Sequence, residues 1–182
     1  MKKMIFVCLL WALGTQAAFA QKYMTRTGQV VFDASTVLEN IHAVNNETAA
    51  IVDLKTGSVV VQTLIQGFKM EKALMQEHFN EDYMESSRIP RASFKGNILD
   101  VDNINVKSEA TQTVYIKGDL TVHGLSRNIT VPATVKVVDG ELLIKANFKI
   151  KPADYNITIP ALVRDKIANV VNVTVTVRLK KM

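Results

Sequence analysis

The chain has 182 residues, 48% of them hydrophobic, with 22 Lys and Arg against 17 Asp and Glu for a formal charge of +5. That apolar fraction excludes a disordered polymer, the length fits one domain with a genuine core, and a single Cys excludes a disulfide-stapled scaffold. No segment beyond residue 20 approaches the roughly 18 uninterrupted apolar residues of a membrane-spanning helix.

Met1-Lys2-Lys3, the apolar run from Met4 to Leu13, and Ala18-Phe19-Ala20 have the charge, greasiness and small-residue spacing of an export signal cut after Ala20. Cleavage leaves residues 21–182 as one domain in the periplasm or outside the cell. It removes Cys8, Trp11, Lys2 and Lys3, and so lowers the formal charge from +5 to +3. A chain without a thiol has no disulfide, no thiolate metal site and no cysteine nucleophile.

From there the pattern alternates with a period of two. Gln29 to Ala34, Ala49 to Leu54 and Val59 to Ile65 read as strands, the last two joined through a turn at Lys55-Thr56-Gly57-Ser58. Met70 to Met84 changes the period. Met70, Leu74 and His78 form one line and Met75, Phe79 and Tyr83 another, with most charges off both, which predicts an amphipathic helix of about four turns. Strands resume at Ala92 to Leu99. Val114, Ile116, Gly118, Leu120 and Val122 then form a dry row, a link at Gly124 to Asn128 follows, and Ile129, Val131, Ala133, Val135 and Val137 form the next. Asp139-Gly140 marks a tight hairpin before Leu142, Ile144, Ala146, Phe148 and Ile150. An irregular piece with Pro152 and Pro160 is expected to cross one end of the sheet, and Val171 to Leu179 alternate again. About eight antiparallel strands, dry on one face, need their edges hidden. A closed barrel does that completely, and a sandwich is the second choice.

Reactive constellations are scarce. His123 has hydroxyls nearby in Thr121 and Ser126, but no Gly-x-Ser-x-Gly elbow exists, and a polar residue at a strand end accounts for it. Glu77, His78, Glu81 and Asp82 share one helix without a metal-binding His motif, as a solvated helix face would. No glycine-rich phosphate loop and no basic run other than Lys180-Lys181 occurs, so no cofactor and no nucleic acid is expected. The Asn-x-Thr triplets at Asn46, Asn128, Asn156 and Asn172 read as wet-face positions. Beyond residue 20 there are only five Phe, four Tyr and no Trp. Aliphatic side chains fill a wide barrel poorly, and alternation leaves the interior either packed or hollow enough for one small ligand.

Ile116-Lys117-Gly118-Asp119-Leu120-Thr121-Val122-His123-Gly124 and the residues that follow to Val131 closely resemble a segment of YceI-like proteins. His78-Phe79 with Asp82-Tyr83, Ile89-Pro90-Arg91-Ala92-Ser93-Phe94, and Phe148 to Ile157 are similar to two further stretches of that family. The likeness covers essentially the whole chain beyond residue 20. Lys151 or Pro152 stands where the family has a late Arg, and Asn156 where it has Gly. The resemblance implies a bacterial, often periplasmic, lipocalin-like antiparallel barrel whose apolar tunnel takes an isoprenoid chain, as in a polyprenyl phosphate or a quinone, with no catalysis.

Combined with the alternation, this makes Phe68, Leu74, Met75, Phe79, Tyr83 and Phe94 candidate lining near the helix. Val114, Ile116, Leu120, Val122, Ile144, Phe148, Val173 and Val175 are the candidates from later strands. His123, Arg127 and Tyr155 are candidates for the headgroup end. A homodimer and a transient membrane contact stay open. The rival readings are an envelope enzyme using His78 or His123 as base, and a partner-binding module with a packed core.

Overall fold

A computed structural model describes residues 22–182, so the export-signal reading of residues 1–20 lies outside the described residues. The strands are β1 (Lys22–Asp33), β2 (His42–Asp53), β3 (Ser58–Leu64), the two-residue β4 (Lys69–Met70), β5 (Arg91–Ile98), β6 (Gln112–Val122), β7 (Leu125–Val138), β8 (Glu141–Ile150) and β9 (Val171–Lys181). Neighbours run β1-β9-β8-β7-β6-β5-β3-β2, and β1 pairs back onto β2 from Lys22 opposite Asp53 to Asp33 opposite His42. Every pairing is antiparallel, so eight long strands close a barrel and no long strand keeps a free edge. β4 is appended to β2 through Ala43 and Val44.

Two hairpins turn on two residues of positive φ. Asp139 (52°) and Gly140 (76°) join β7 to β8 as the sequence suggests. His123 (48°) and Gly124 (76°) join β6 to β7. The link expected at Gly124 to Asn128 is therefore shorter, and Leu125 to Asn128 belong to β7, paired with Asp119 to Val122.

The expected helix from Met70 to Met84 also contracts. The α-helix α1 covers only Ala73–His78 and continues as a wider π-turn over Phe79–Tyr83. Lys69 and Met70 are held extended against β2, and the helix itself holds them there: Gln76 Oε1 accepts from the Met70 amide (2.9 Å) and Gln76 Nε2 donates to the Phe68 carbonyl (2.6 Å). Sheet pairing plus these bonds satisfies the same backbone groups that a longer helix would use.

Glycine matters most where β5 meets β6. Gly96 and Gly118 face each other in register, and a Cβ on Gly118 would collide with the Lys95 carbonyl and Gly96 Cα and lie 2.8 Å from Phe94 Cζ. The missing side chain leaves room for the Phe94 ring. Gly118→Ala should therefore cost about 2–4 kcal/mol, a fall in Tm of roughly 5–15 °C, read by thermal unfolding.

The interior divides along the barrel axis. Near the β2–β3 and β7–β8 hairpins, Leu54, Ile98, Val114, Ala133, Val135, Leu142 and Leu179 form a tight plug, with Val135, Leu142 and Leu179 fully buried. A second cluster, with Val30, Ile65, Phe68, Met84, Leu120, Val122 and Val173, lies toward α1 and the segment after β8. That segment, with short 3-10 turns at Pro152–Tyr155 and Ala161–Lys166, crosses this end as expected.

Candidate ligand-binding cavity

Alternation sends one row of each strand inward, and most of these residues are Val, Ile, Leu or Ala. They are too small to meet across eight strands, and between the plug and the helical end a cavity of about 370 Å³ remains. That volume lies within the roughly 300–1,000 Å³ typical of small-molecule sites. The plug residues Leu54, Ile98, Val114, Ala133, Val135, Leu142 and Leu179 are absent from its wall, so the cavity is blind at that end. The opposite end is bounded by the β1–β2 loop (Ala34, Glu39, Ile41), by α1 and its π-turn (Met75, His78, Phe79, Tyr83), and by Pro152 to Ile167.

Among the candidates read from the sequence, Phe68, Met75, Phe79, Tyr83, Phe94, Ile116, Leu120, Val122, Ile144, Phe148, Val173 and Val175 line this cavity. Five do not. Leu74 is 62% exposed and is not on the wall. Val114 is inward but belongs to the plug. Arg127 is exposed on β7 and donates only to the Ser126 carbonyl (3.4 Å). His123 and Tyr155 are joined to each other: the His123 Nδ1 contacts the Tyr155 carbonyl (3.1 Å) and its Nε2 contacts Glu85 Oε1 (3.2 Å). This ties the β6–β7 turn to the loop after the π-turn and to the Pro152–Tyr155 turn, and neither side chain is on the wall. Tyr155 is buried, which raises its phenol pKa, and Glu85 is held low first by the Arg88 guanidinium and then by His123.

The same alternation, continued through the earlier strands, would have found Val30 and Phe32 of β1, Ala50 and Val52 of β2, and Val59 and Val61 of β3, all on the wall. Ile157, Ile159, Val163 and Ile167 also line it, from a stretch with no period to read. Phe32, Phe68 and Phe79 pack together with ring centroids 5.1–5.9 Å apart beneath the helix.

Polar groups on the wall are few and mostly occupied. Inside, Thr63 bonds to Thr48 (3.1 Å). At the mouth, Glu39 accepts from Lys72 Nζ (2.7 Å), which with Lys166 holds its carboxyl below the usual range. His78 Nδ1 is 2.6 Å from Asp82 Oδ2, one helical turn on. No group of three or more metal-ligating side chains occurs among the described residues. A dry wall with a polar rim can hold a hydrocarbon and leave a polar end at the mouth.

The comparisons agree with this geometry. The model of the YceI-like domain family matches residues 16–179. The chain belongs to the YceI-like family. Among solved structures, a polyisoprenoid-binding domain from Saccharophagus degradans, implicated in plant cell wall breakdown, superposes with a TM-score of 0.75 at 12% identity over 90% of this chain and 99% of that one. Burkholderia cenocepacia BcnA gives 0.68 at 15% identity, covering 84% of this chain and 95% of its own. The Campylobacter jejuni YCEI protein gives 0.57 at 17% identity, covering 75% and 83%. At these identities the likeness shows the shared fold. No curated protein matches the sequence. The eight-stranded lipocalin-like barrel of this family is thus the fold of the chain, as its alternation and its Gly-Asp-Leu-Thr segment indicate.

Proposed function

We propose that this YceI-like chain is an exported carrier or store for one long-chain apolar lipid of the isoprenoid, polyprenyl or quinone kind. The tail enters the barrel past the helix and the headgroup stays at the mouth near Glu39, His78 and Lys166. The observation that carries this is the blind cavity with an almost entirely hydrocarbon wall. Each buried methylene contributes about 0.8 kcal/mol, so tail length supplies most of the affinity and few polar contacts are needed. The structurally similar Saccharophagus degradans domain is polyisoprenoid-binding, which supports the same ligand class. The protein acts by binding and performs no chemistry of its own. His78, the sole histidine on the cavity wall, is oriented by Asp82 and stands half exposed at the rim.

The direct test is organic extraction of protein purified from bacterial cells, with mass spectrometry of the extract. One long-chain lipid in near-stoichiometric amount is expected. A clean extract from protein that also retains no polyprenol or quinone when offered would overturn the proposal.

A further inference from the structure

Large apolar side chains more than three-fifths exposed are few among the described residues: Val37, Leu38, Leu74, Leu162 and the terminal Met182. Four of the five surround the cavity mouth. Val37 and Leu38 lie between the wall residues Ala34 and Glu39, Leu74 precedes Met75, and Leu162 precedes Val163. The three segments are fastened to one another. Lys72, just before α1, donates to Glu39 of the β1–β2 loop (2.7 Å), and the Ala168 amide donates to the Ala34 carbonyl (2.9 Å). None of the four sits in a strand, so their exposure is no by-product of the wet face of the barrel. Val37 is 103% exposed and Leu162 93%, values of side chains that touch nothing of their own molecule.

We infer that this rim docks on a zwitterionic phospholipid bilayer, so that lipid passes between bilayer and cavity without crossing water. The inference rests on the carrier reading above and adds the surface through which the carrier is loaded. A lipid tail that gains free energy with each methylene removed from water loses the same on release, so direct contact with its source avoids that barrier. Charge selects the kind of bilayer. Lys72, Arg164 and Lys166 stand among Glu39, Glu71 and Asp165, so both signs alternate around the aliphatic tips. The acidic Glu77, Glu81 and Asp82 follow on the helix. Such a rim has no net positive field for an anionic surface and complements headgroups that themselves carry both charges. The first and last described residues lie away from it: Lys22 and Met182 meet at the plugged end, where the Met182 amide donates to the Lys22 carbonyl (2.8 Å). Four aliphatic tips inserted among headgroups make a shallow, reversible contact, as loading and departure require.

The test compares the wild type with the double variant Leu38→Glu, Leu162→Glu, both sites being exposed and tolerant in the fold. The probes are phosphatidylcholine vesicles, plain or doped with a polyprenol, and polyprenol in detergent solution. The wild type should co-float with plain vesicles, little affected by about 0.5 M salt, and take up polyprenol from doped ones. The variant should lose co-flotation and take up vesicle polyprenol about tenfold more slowly, yet load normally from detergent. Equal uptake by both proteins would overturn the inference. So would co-flotation that needs phosphatidylglycerol and vanishes in salt. A wild-type dimer that the variant breaks in analytical ultracentrifugation, with no vesicle binding by either, would assign the rim to a second copy of the chain instead. Failure of both proteins to load from detergent would strike the carrier reading, while co-flotation would still decide docking.

Discussion

Ile116→Arg is expected to prevent the barrel from folding or to lower its Tm by more than about 15 °C, whereas Thr174→Arg should lower it by only a few degrees. Ile116 is 5% exposed, paired with Ile98 and Val131, and faces a wall of Val, Ile and Ala. An apolar cavity of this kind stays dry, so a guanidinium there meets neither water nor a carboxylate. Its uncompensated desolvation amounts to several kcal/mol, against a total stability of about 5–15 kcal/mol for an ordinary domain. Thr174 is on the outside of β9, where its hydroxyl donates to Asn147 Oδ1 (2.7 Å). Loss of that bond costs about 0.5–1.5 kcal/mol, and the arginine remains in solvent. Circular dichroism melts of the two variants check the pair. If they melted within a few degrees of each other, the inward assignment of the β6 row would be wrong.

That assignment was legible from the sequence because period-two alternation is the direct imprint of a sheet with one dry face. In β6 to β9 the imprint is nearly unbroken, and the structure places Ile116, Ile144 and Val173 of those rows on the cavity wall. Depth along the barrel is a different matter. Val114 obeys the same alternation as Ile116, yet two residues along the strand it has passed from cavity to plug. Only the register between strands, which places Val114 beside Ala133 near a hairpin end, separates the two. The helix shows another limit. The spacing of Met75, Phe79 and Tyr83 finds the face that covers the mouth, but cannot show that Met70 is claimed by β2. Leu74 belongs to the apolar line with Met70 and His78, but with Met70 paired to β2 instead of helical, that line does not fix which way Leu74 faces. Their positions at strand ends point His123 and Tyr155 toward a headgroup in the sequence. The structure brings them together, but across 32 residues of sequence and to fasten loops. Hydrogen bonds between segments that far apart leave no local period to read.

The division into plug and cavity leads to the second large effect. Ala146→Trp should leave the fold intact and reduce affinity for long tails by about a hundredfold, with little effect on tails of about ten carbons. Ala146 lines the cavity between Ile144 and Phe148, and its cross-strand partners are Ala133 of the plug and Val175 of the wall. It therefore sits where the hollow part gives way to the packed part. An indole introduced into a filled core costs about 1–3 kcal/mol in strain, but one that projects into existing space gains apolar contact and offsets much of that cost. The space it takes is the space a tail would use. Two displaced methylenes at about 0.8 kcal/mol each already weaken binding about tenfold, and an indole displaces roughly twice that number. Because the loss is confined to the deep end, a short tail anchored near Phe32, Phe68 and Phe79 does not reach the new ring. Competition binding with polyprenols of graded length reads the outcome: the wild type should prefer longer chains steadily, and the variant should reach a plateau at a shorter length. Parallel length dependence in the two proteins would mean that the tail does not enter the cavity as far as Ala146, and that long chains gain their affinity at the mouth.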